Sequence, residues 1–420
     1  MELAEPYLES SDAGTLAQDV YRQLSYELQG MSSLRICIVS PLFHPNTGGP
    51  GRQAFTMAEK LNQKGVALTV ITRELDIEIP ELSGVKIYRI KTVNPGQYSL
   101  IRFSLINIII SASFSLGALA RLLLLRKQFD IVQFYGASLP LLICLPLLKV
   151  LKKEVVVKVS GAKPGMEMGS LKGSILRPLL SVIYSLVDRI IVMSDELRHK
   201  VLIEGFPEKK IARIPNGVNT ELFYPCSDKE RKELKNNNKL LNKKVLVYSG
   251  WLVEGKGLDT LLEAFRLVVS ENRETKLLLL GKGPLKDRLK DKADSLNISD
   301  KVCFKGNVTN VHEFLNSADI FVFPSFREGM PNSLLEAMAC GLPVIASRIG
   351  GIVDIVEDNK SAILFDPGDV SGLASAIIKL LNNDEIRQAL GAEARKRIEG
   401  GFSIDRVADE YIKLYEKLAA

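Results

Sequence analysis

The chain has 420 residues, of which 46% are hydrophobic and 25% are charged. This ordinary globular mix excludes a disordered, collagen-like or coiled-coil chain, and the length is typical of two domains of roughly 100–200 residues each. Five scattered cysteines and only three histidines argue against a disulfide scaffold, a structural zinc site and a multi-histidine metal centre.

Charge is distributed unevenly along the chain. Residues 1–30 contain one basic and six acidic residues, residues 31–225 contain 25 basic and 14 acidic residues, and residues 226–420 contain 29 of each. The three segments carry net charges of −5, +11 and 0, which sum to the +6 of the whole chain. A basic first half can attract phosphate-bearing ligands or an anionic lipid surface. We expect no nucleic acid partner, because aromatic and basic residues are not interleaved and no nucleic-acid motif is present.

The first 30 residues are acidic and lack the apolar core of a secretory signal. An apolar strand begins shortly after Met31, so residues 1–30 are predicted to be a poorly ordered extension. The odd, dispersed set of cysteines indicates reduced thiols. These features together predict a cytoplasmic protein.

Short apolar runs alternate with amphipathic stretches throughout the chain. The predicted strands are Arg35–Ser40, Ala67–Ile71, Lys86–Ile90, Ile131–Phe134, Val155–Val159, Arg189–Met193, Ile211–Ile214, Val245–Ser249, Lys276–Leu280, Val302–Lys305, Ile320–Phe323, Pro343–Ala346 and Ala362–Phe365. Near-continuous apolar strands that alternate with helices are typical of parallel sheets covered on both faces. We therefore predict an α/β fold with two doubly wound, Rossmann-like parallel-sheet domains and a cleft between them.

Helical spacing of apolar residues recurs between the strands. The clearest stretches are Gln53–Lys64, Asp195–Ile203, Leu258–Ser270 and Pro284–Leu296. A polar, Asn-rich run that starts at Pro225 separates the two strand series and predicts a linker with a short exposed helix. The first domain is therefore assigned to 31–225 and the second to 226–403. Apolar residues at helical spacing in 404–420 predict a last helix, which we expect to pack back toward the first domain.

One apolar stretch, from Ile101 to Leu125, raises the question of a membrane span. No charge lies between Arg102 and Arg121, which leaves 18 uncharged residues, near the lower limit of about 17 for a bilayer-crossing helix. Serine and asparagine residues dilute this stretch. A buried or interfacial helix is therefore the favoured interpretation, and a spanning helix is the alternative.

The most informative segment is 324–347, which combines a strand end, a loop and an amphipathic helix. Asn332 or Ser333 is expected to cap this helix, and Gly341 is expected to stop it. The helix would begin at the carboxyl edge of a parallel sheet, where its free backbone N–H groups and positive dipole end suit a diphosphate.

Two carboxylates flank the start of this helix. Glu328 lies in the preceding loop, and Glu336 lies about one turn into the helix. Either residue alone would be an ordinary loop or surface acid. Together they are suited to accept hydrogen bonds from ribose or sugar hydroxyls, which points to a nucleotide sugar.

The spacing Glu328-x7-Glu336, in this surrounding sequence, resembles the signature of family 4 of the retaining glycosyltransferases, which have the two-domain GT-B architecture. The resemblance extends over about residues 31–420. Further matching pieces, in the same order, are Pro45-Asn-Thr-Gly-Gly-Pro-Gly, Ile214-Pro-Asn-Gly-Val-Asn, Ser249-Gly-Trp-Leu-Val-Glu-Gly-Lys-Gly-Leu-Asp, Gly281-Lys-Gly-Pro and Lys305-Gly-Asn-Val. Each piece alone is weak, whereas the ordered set is specific.

This resemblance implies roles for individual residues. Glu328 would hold hydroxyls of the donor sugar and Lys256 would neutralise the leaving diphosphate, so these two are the candidate catalytic residues. Glu336 would bind the ribose. The other candidate donor-binding residues are Gly329, Asn332, Ser333, Leu334, Trp251, Gly250, Gly281, Gly283 and Asn307. The candidates for an acceptor or diphosphate loop are Gly48, Gly49 and Tyr135.

The sequence departs from the family pattern at three places. Trp251 stands where an arginine usually pairs with the diphosphate, and a tryptophan cannot form that ion pair. A histidine is usual near Tyr135, and Ser160 replaces another common histidine. These changes bear on catalytic efficiency and leave the donor signature intact.

The resemblance implies transfer of a sugar from a nucleoside-diphosphate sugar to a glycolipid or saccharide acceptor, with retention at the anomeric carbon. We expect no metal and no cofactor beyond the nucleotide sugar as co-substrate, because no Asp-x-Asp motif is present. The basic first domain predicts peripheral contact with an anionic membrane on its cytoplasmic face. The alternatives are a degenerate homologue that serves as a binding or scaffold partner and, less favoured, a nucleotide-sugar epimerase.

Overall fold

Two parallel β-sheets organise the molecule, one in each half of the chain. The computed structural model describes residues 34–45, 49–76, 79–93, 105–159 and 185–420. The predicted extension at 1–30 lies outside these described residues, as do Gly48 and Ser160.

The first sheet has seven parallel strands in the order β3-β2-β1-β4-β5-β6-β7. They are β1 (Arg35–Ser40), β2 (Ala67–Arg73), β3 (Lys86–Ile90), β4 (Ile131–Tyr135), β5 (Glu154–Lys158), β6 (Arg189–Val192) and β7 (Ile211–Arg213). The described helices of this half are α1 (Pro50–Gln63), α2 (Leu105–Leu124), α3 (Leu139–Val150) and α4 (Asp195–Ile203). The chain order reverses between β1 and β4, which is the switch point where doubly wound sheets bind ligands.

The second sheet has six parallel strands in the order β10-β9-β8-β11-β12-β13. They are β8 (Lys244–Ser249), β9 (Thr275–Leu280), β10 (Val302–Gly306), β11 (Ile320–Phe323), β12 (Val344–Ser347) and β13 (Ile363–Phe365). The helices are α5 (Asp228–Asn237), α6 (Leu258–Glu271), α7 (Lys286–Ser295), α8 (Val311–Asn316), α9 (Asn332–Ala339), α10 (Gly350–Val353), α11 (Val370–Leu381), α12 (Asp384–Gly401) and α13 (Ile404–Ala419). Here the switch point lies between β8 and β11.

The predicted fold class is confirmed by these two sheets. Each of the thirteen predicted strands occurs within the described residues, and no strand end moves by more than two residues. The agreement has a physical reason: both faces of each sheet are covered, so the strands are apolar along most of their length and stand out from the amphipathic helices.

The strand faces determine which side chains lie under which helices. In β5, Val155 and Val157 belong to one apolar cluster, while Val156 belongs to the cluster that contains helix α13. Side chains alternate along a strand, so Lys158 shares the face of Val156. Lys158 is paired in register with Tyr135 at the carboxyl ends of β5 and β4.

Helix α2 is the expected apolar helix, and it packs with one side against α3, β2 and β3. Its buried residues include Ile110, Phe114, Ala118 and Leu122, which recur every four residues. The opposite side exposes Ile106, Ile108, Ile109, Leu116, Leu123 and Leu124. Among the described helices, only the segment Ile106–Leu124 is long and apolar enough to cross a membrane by length and composition. Its inner side is part of the domain core, which favours the interfacial over the spanning interpretation.

The chain crosses between the domains twice, and the two crossings lie side by side. Val218 on the first crossing receives a hydrogen bond from Ile404 at 2.9 Å and donates to Phe402 at 2.9 Å. A Cβ on Gly217 would lie 2.9 Å from the Cα of Ile404, so glycine permits this close approach. Helix α13 then packs on α1 and β4 of the first domain.

Candidate active site

The loops that follow β8 and β11 meet at the switch point of the second sheet. The loop after β8 carries Lys256, and the loop after β11 carries Glu328. Because β8 and β11 are neighbours in the sheet, the two loops leave the same edge next to each other. Open parallel sheets bind their ligands at this kind of position.

Lys256 and Glu328 form an ion pair between the Nζ atom and Oε1. The hydroxyl of Ser325 also donates to Oε1 of Glu328, at 2.7 Å. The ammonium lies 5.8 Å from the ring centroid of Phe323, at the end of β11. Both side chains of the pair are mostly covered, so the pair is a fixed, partly desolvated charge arrangement rather than a surface contact.

The loop that holds Lys256 is fixed by its neighbouring glycines. The carbonyl of Gly255 accepts hydrogen bonds from the backbone N–H of Phe326 at 2.9 Å and from the hydroxyl of Ser325 at 3.2 Å. Gly257 has φ +67°, and a Cβ there would lie only 1.9 Å from the carbonyl oxygen of Pro324. Glycine at 257 therefore allows the two loops to touch.

A Gly257→Ala variant is expected to separate the Lys256 loop from the Glu328 loop. The added Cβ meets backbone, which cannot swing away, and the positive φ adds strain, so we expect a loss of about 1–3 kcal/mol in unfolding free energy. Nucleotide binding should fall with it. Thermal unfolding and calorimetric titration of UDP and GDP check both effects, with Gly400→Ala as control because no atom lies within 4 Å of a Cβ there. Wild-type stability and binding in Gly257→Ala would contradict this account of the loop.

Helix α9 begins directly after this loop, but its start differs from the prediction. Pro331 occupies the N-cap position, and no side chain caps the helix, so Asn332 and Ser333 are its first residues rather than its cap. Leu334 is buried in the core, and only its backbone can face a ligand. The first N–H groups of α9 have no intrahelical acceptor and remain suited to an anion. The helix ends before Gly341, which has the expected positive φ of 69°.

Glu336 is buried in α9, with only 4% of the residue exposed. Its Oε1 lies 3.0 Å from Nη1 of Arg52, which belongs to α1 of the first domain. Burial raises the pKa of the Glu336 carboxyl, and the positive charge of Arg52 opposes that shift. The carboxylate predicted to bind ribose is thus held at the boundary between the domains.

Three amide side chains connect the domains beside this ion pair. Oδ1 of Asn332 accepts hydrogen bonds from Nε2 of Gln53 at 3.0 Å and from Nδ2 of Asn216 at 2.9 Å. Gln53 also donates to the carbonyl of Gly217 at 3.0 Å, and Asn216 donates to the carbonyl of Met330 at 3.2 Å. Asn332, predicted to bind the donor, therefore has a structural role between the domains in this structure.

The glycine-rich loops after β8 and β9 pack backbone against backbone. A Cβ on Gly281 would lie 1.8 Å from the carbonyl oxygen of Gly250, and a Cβ on Gly283 would lie 2.2 Å from that of Leu252. The loops need glycine for this contact, whatever they bind. Similarly, the carbonyl oxygen of Gly329 would lie 2.3 Å from a Cβ on Gly351.

Trp251 and Asn307 are exposed beside these loops. Trp251 is 42% exposed, and the Lys282 ammonium lies 5.8 Å from the centroid of its ring. An exposed ring with a neighbouring cation can stack on a base or on an acceptor. Residue 251 is the position at which the family pattern has an arginine. The structure shows Trp251 there, with the cation of Lys282 beside its ring.

Of the candidates for an acceptor or diphosphate loop, the structure describes Gly49 and Tyr135, and only Gly49 has open surroundings. Gly49 is the N-cap residue of α1 with φ 60°, and it leaves its surroundings open because a Cβ would meet nothing within 4 Å. Tyr135 is buried in the apolar cluster that includes Tyr411 of α13. Residue 135 falls on the α13 side of β4, and the role of Tyr135 toward an acceptor or diphosphate stays a prediction.

Sequence reasoning missed several residues at this site. Arg52, Gln53 and Asn216 contact α9 from the first domain or its exit, and Ser325 binds Glu328. Two features of the sequence could have pointed to them. Arg52 comes just after the glycine-rich loop, and Asn216 belongs to the family-like segment that starts at Ile214. Within the part of the chain that the structure describes, no group of three or more His, Cys, Asp or Glu residues could hold a metal ion.

Two family models match the chain, one in each domain. Residues 47–222 match the model "Glycosyltransferase Family 4", and residues 229–397 match "Glycosyl transferases group 1". The two matches meet at the linker between the sheets. The family resemblance found from the motifs is therefore confirmed.

The comparisons with individual proteins agree. The chain is 31% identical over 234 residues to a capsular polysaccharide biosynthesis glycosyltransferase, CapM, of Staphylococcus aureus, a match that covers 54% of this chain and 60% of that protein. It is 26% identical over 374 residues to N-acetyl-alpha-D-glucosaminyl L-malate synthase of Bacillus anthracis, covering 89% and 94%. The fold matches that of Anabaena HepE, solved with UDP and glucose, with a TM-score of 0.73 at 16% identity over 92% of this chain and 100% of that one. The chain belongs to glycosyltransferase family 4.

Proposed function

We propose that the protein transfers a sugar from a nucleoside-diphosphate sugar to a saccharide or lipid-linked acceptor, with retention at the anomeric carbon and without a metal ion. The observation that carries the proposal is the Lys256–Glu328 pair at the switch point, next to the free N-terminus of α9. The similar proteins support it, since they are a capsular polysaccharide biosynthesis glycosyltransferase and an N-acetyl-alpha-D-glucosaminyl L-malate synthase.

The charges at this site suit departure of a nucleoside diphosphate. In the proposed step the bond between the anomeric carbon and the diphosphate oxygen breaks, and a bond to the acceptor oxygen forms on the same face of the sugar. The acceptor proton passes to the leaving phosphate oxygen, so no protein nucleophile is required. Lys256 and the α9 N–H groups would stabilise the charge that develops on the diphosphate, and Glu328 would hold donor hydroxyls.

The domain boundary supplies a second requirement of such a transfer, which is exclusion of water. The Arg52–Glu336 pair and the amide cluster around Asn332 bring the first domain directly onto α9. Closure over the donor would limit its hydrolysis and bring the acceptor-bearing domain to the anomeric carbon.

A donor screen tests the proposal. Purified protein is incubated with UDP-, GDP-, ADP- and dTDP-sugars, with and without a lipid extract and in the presence of EDTA, and nucleoside-diphosphate release is measured. We expect release with one class of donor, retention in the product by NMR, and no loss in EDTA. Abolition by EDTA with restoration by magnesium would refute metal independence. Tight binding without transfer to any acceptor would instead support the scaffold function.

We further propose that the first domain binds reversibly to the cytoplasmic face of an anionic membrane. The exposed side of α2 presents large apolar residues, among them Ile106, Ile109 and Leu116. Basic residues Arg126 and Lys127 are exposed just after this helix. Apolar insertion next to cationic side chains is the combination that stabilises peripheral binding, and each basic residue near the surface contributes about 1 kcal/mol.

An Ile106→Gln/Ile109→Gln double variant is expected to bind anionic vesicles at least about tenfold more weakly, because burial of each apolar side chain contributes about 1.5–3 kcal/mol. Co-sedimentation with phosphatidylglycerol-containing and neutral vesicles measures this. Val353→Gln is the matched control, since Val353 is an exposed apolar residue of the second domain. Wild-type binding only to anionic vesicles, with release by salt, supports the proposal. No binding to either vesicle at low salt rejects it.

A further inference from the structure

Arg52 is placed so that its charge acts on the second domain. It lies in the first turn of α1, just after Gly49, and its Nη1 contacts Oε1 of Glu336 at 3.0 Å across the domain boundary. Its guanidinium also lies 5.8 Å from the ring centroid of Phe223, on the chain that leaves the first domain. Two separate elements therefore fix the direction of this side chain.

Glu336 needs such a partner because it is buried. A buried carboxyl without a cation favours its neutral form, and burial indeed raises the pKa of Glu336 while Arg52 lowers it. Helix α12 contributes Arg395, which donates to the carbonyl of Ala339 rather than to Glu336. The thiol of Cys340 follows the last residue of α9, and the packed strands β11 and β12 contain no charged residue. Arg52 is thus the cation that contacts this carboxylate in the described part of the chain.

The ion pair leaves part of Glu336 available. Arg52 contacts Oε1 at 3.0 Å, and Oε2 lies outside this ion pair. One turn earlier on the same face of α9, Asn332 is bound by Gln53, the neighbour of Arg52. Two consecutive residues of α1 therefore hold two positions, four residues apart, on α9.

We propose that Arg52 is a positioning residue for the donor site: it keeps the Glu336 carboxylate ionised and oriented, so that its second oxygen can accept hydrogen bonds from the ribose of the nucleotide. This inference rests on the proposed function, which assigns a nucleotide sugar to this cleft. It extends that function by making the nucleotide site of the second domain depend on a cation supplied by the first.

The proposal has a specific pH signature. Loss of the Arg52 charge should raise the pKa of Glu336 further, so that the carboxyl becomes neutral at a higher pH and loses one acceptor site for a hydroxyl. Nucleotide affinity should then fall most at low pH and recover as the pH rises. A purely structural contact between α1 and α9 would lower affinity by a similar factor at every pH.

The test measures binding of UDP, GDP, ADP and dTDP between pH 5 and 8, by calorimetry and by the fluorescence of Trp251, the only tryptophan. For the nucleotide that the wild type binds, we expect Arg52→Met to weaken binding about tenfold at pH 6 and less at pH 8. Arg52→Lys should restore most of the wild-type pH profile. Lys60→Met is the matched control, because Lys60 lies on the same helix and pairs with Asp405 of α13 at 3.1 Å.

A double-mutant cycle separates this role from direct contact with the nucleotide. In a Glu336→Gln background, Arg52→Met should cause no further loss, since the carboxylate on which Arg52 acts is gone. An equal loss in both backgrounds, or a loss that is the same at every pH and is not rescued by lysine, would overturn the proposal. Absence of nucleotide binding by the wild type would overturn the proposed function itself, which keeps the two failures distinct.

Discussion

A Lys256→Met variant is expected to lose about 100- to 1,000-fold in kcat, with a smaller change in the KM for the donor. The ammonium is paired with Glu328, in the loop that leads into α9, where charge would develop on the leaving diphosphate. An interaction that strengthens as that charge appears lowers the barrier more than it stabilises the bound donor. Steady-state kinetics of nucleoside-diphosphate release measure both constants.

Two variants control for other causes of the loss. Lys244→Met removes a lysine from the amino end of β8, the strand whose carboxyl end leads to Lys256, and its kcat should stay at the wild-type value. Lys256→Arg keeps a cation and should retain part of the activity. Because Lys256→Met leaves Glu328 without its cation, a thermal melt must show that the variant is folded. A folded Lys256→Met enzyme with wild-type kcat would remove Lys256 from the mechanism.

A Lys158→Met variant is expected to be several kcal/mol more stable than the wild type at neutral and acidic pH. Lys158 is only 2% exposed, and burial is the cause of the shift in its pKa. Its ammonium lies 5.5 Å from the ring centroid of Tyr411 and 6.0 Å from that of Tyr135. Burial lowers the pKa of Lys158 from 10.5 to about 7, which corresponds to an upper limit of about 5 kcal/mol.

The sign of the pH dependence follows from this lowered pKa. Between pH 7 and about 10, the unfolded chain binds a proton at Lys158 that the folded protein releases, so wild-type stability rises with pH across that window. Below pH 7 both states are protonated and the full penalty remains. The advantage of Lys158→Met should therefore be greatest below pH 7 and disappear near pH 10.

Urea unfolding followed by circular dichroism at pH 6 to 10 measures this difference. Lys417→Met is the control, because Lys417 is an exposed lysine on α13, the helix that covers Lys158. Parallel stability curves for wild type and Lys158→Met across this pH range would show that Lys158 is not a buried, destabilised cation. A less stable Lys158→Met protein would show that the ammonium has a favourable partner in solution.

The sequence predicted the strands well because each strand is apolar on both faces, a local property. It failed at the start of α9, where Asn332 and Ser333 have the composition of a helix cap. The Asn332 side chain instead binds Gln53 and Asn216, which lie 279 and 116 residues away in the chain. No local pattern reports a partner at such a distance, so the tertiary contact overrides the capping preference.

In the candidate site, too, the local features could be predicted from the sequence and the long-range contacts could not. Lys256 and Glu328 could be selected from their loops and from the family resemblance, but their ion pair depends on β8 and β11 being neighbours in the sheet. The burial of Tyr135 beneath α13 could not be predicted, because it depends on a helix at the far end of the chain that packs on β4. Arg52 was missed because its role depends on a residue in the other domain.

The paired crossings at Val218 and Ser403 restrict how the two domains can move. A single connecting segment would let one domain swivel freely about the other. Two segments bonded side by side, with α13 packed on the first domain, would favour rotation of the domains about one axis. Opening about that axis would admit a donor and separate Arg52 from Glu336 in the same motion. Each closure would return the two domains to the same relative position. The encounter of donor and acceptor would then be an intramolecular event with a high effective concentration.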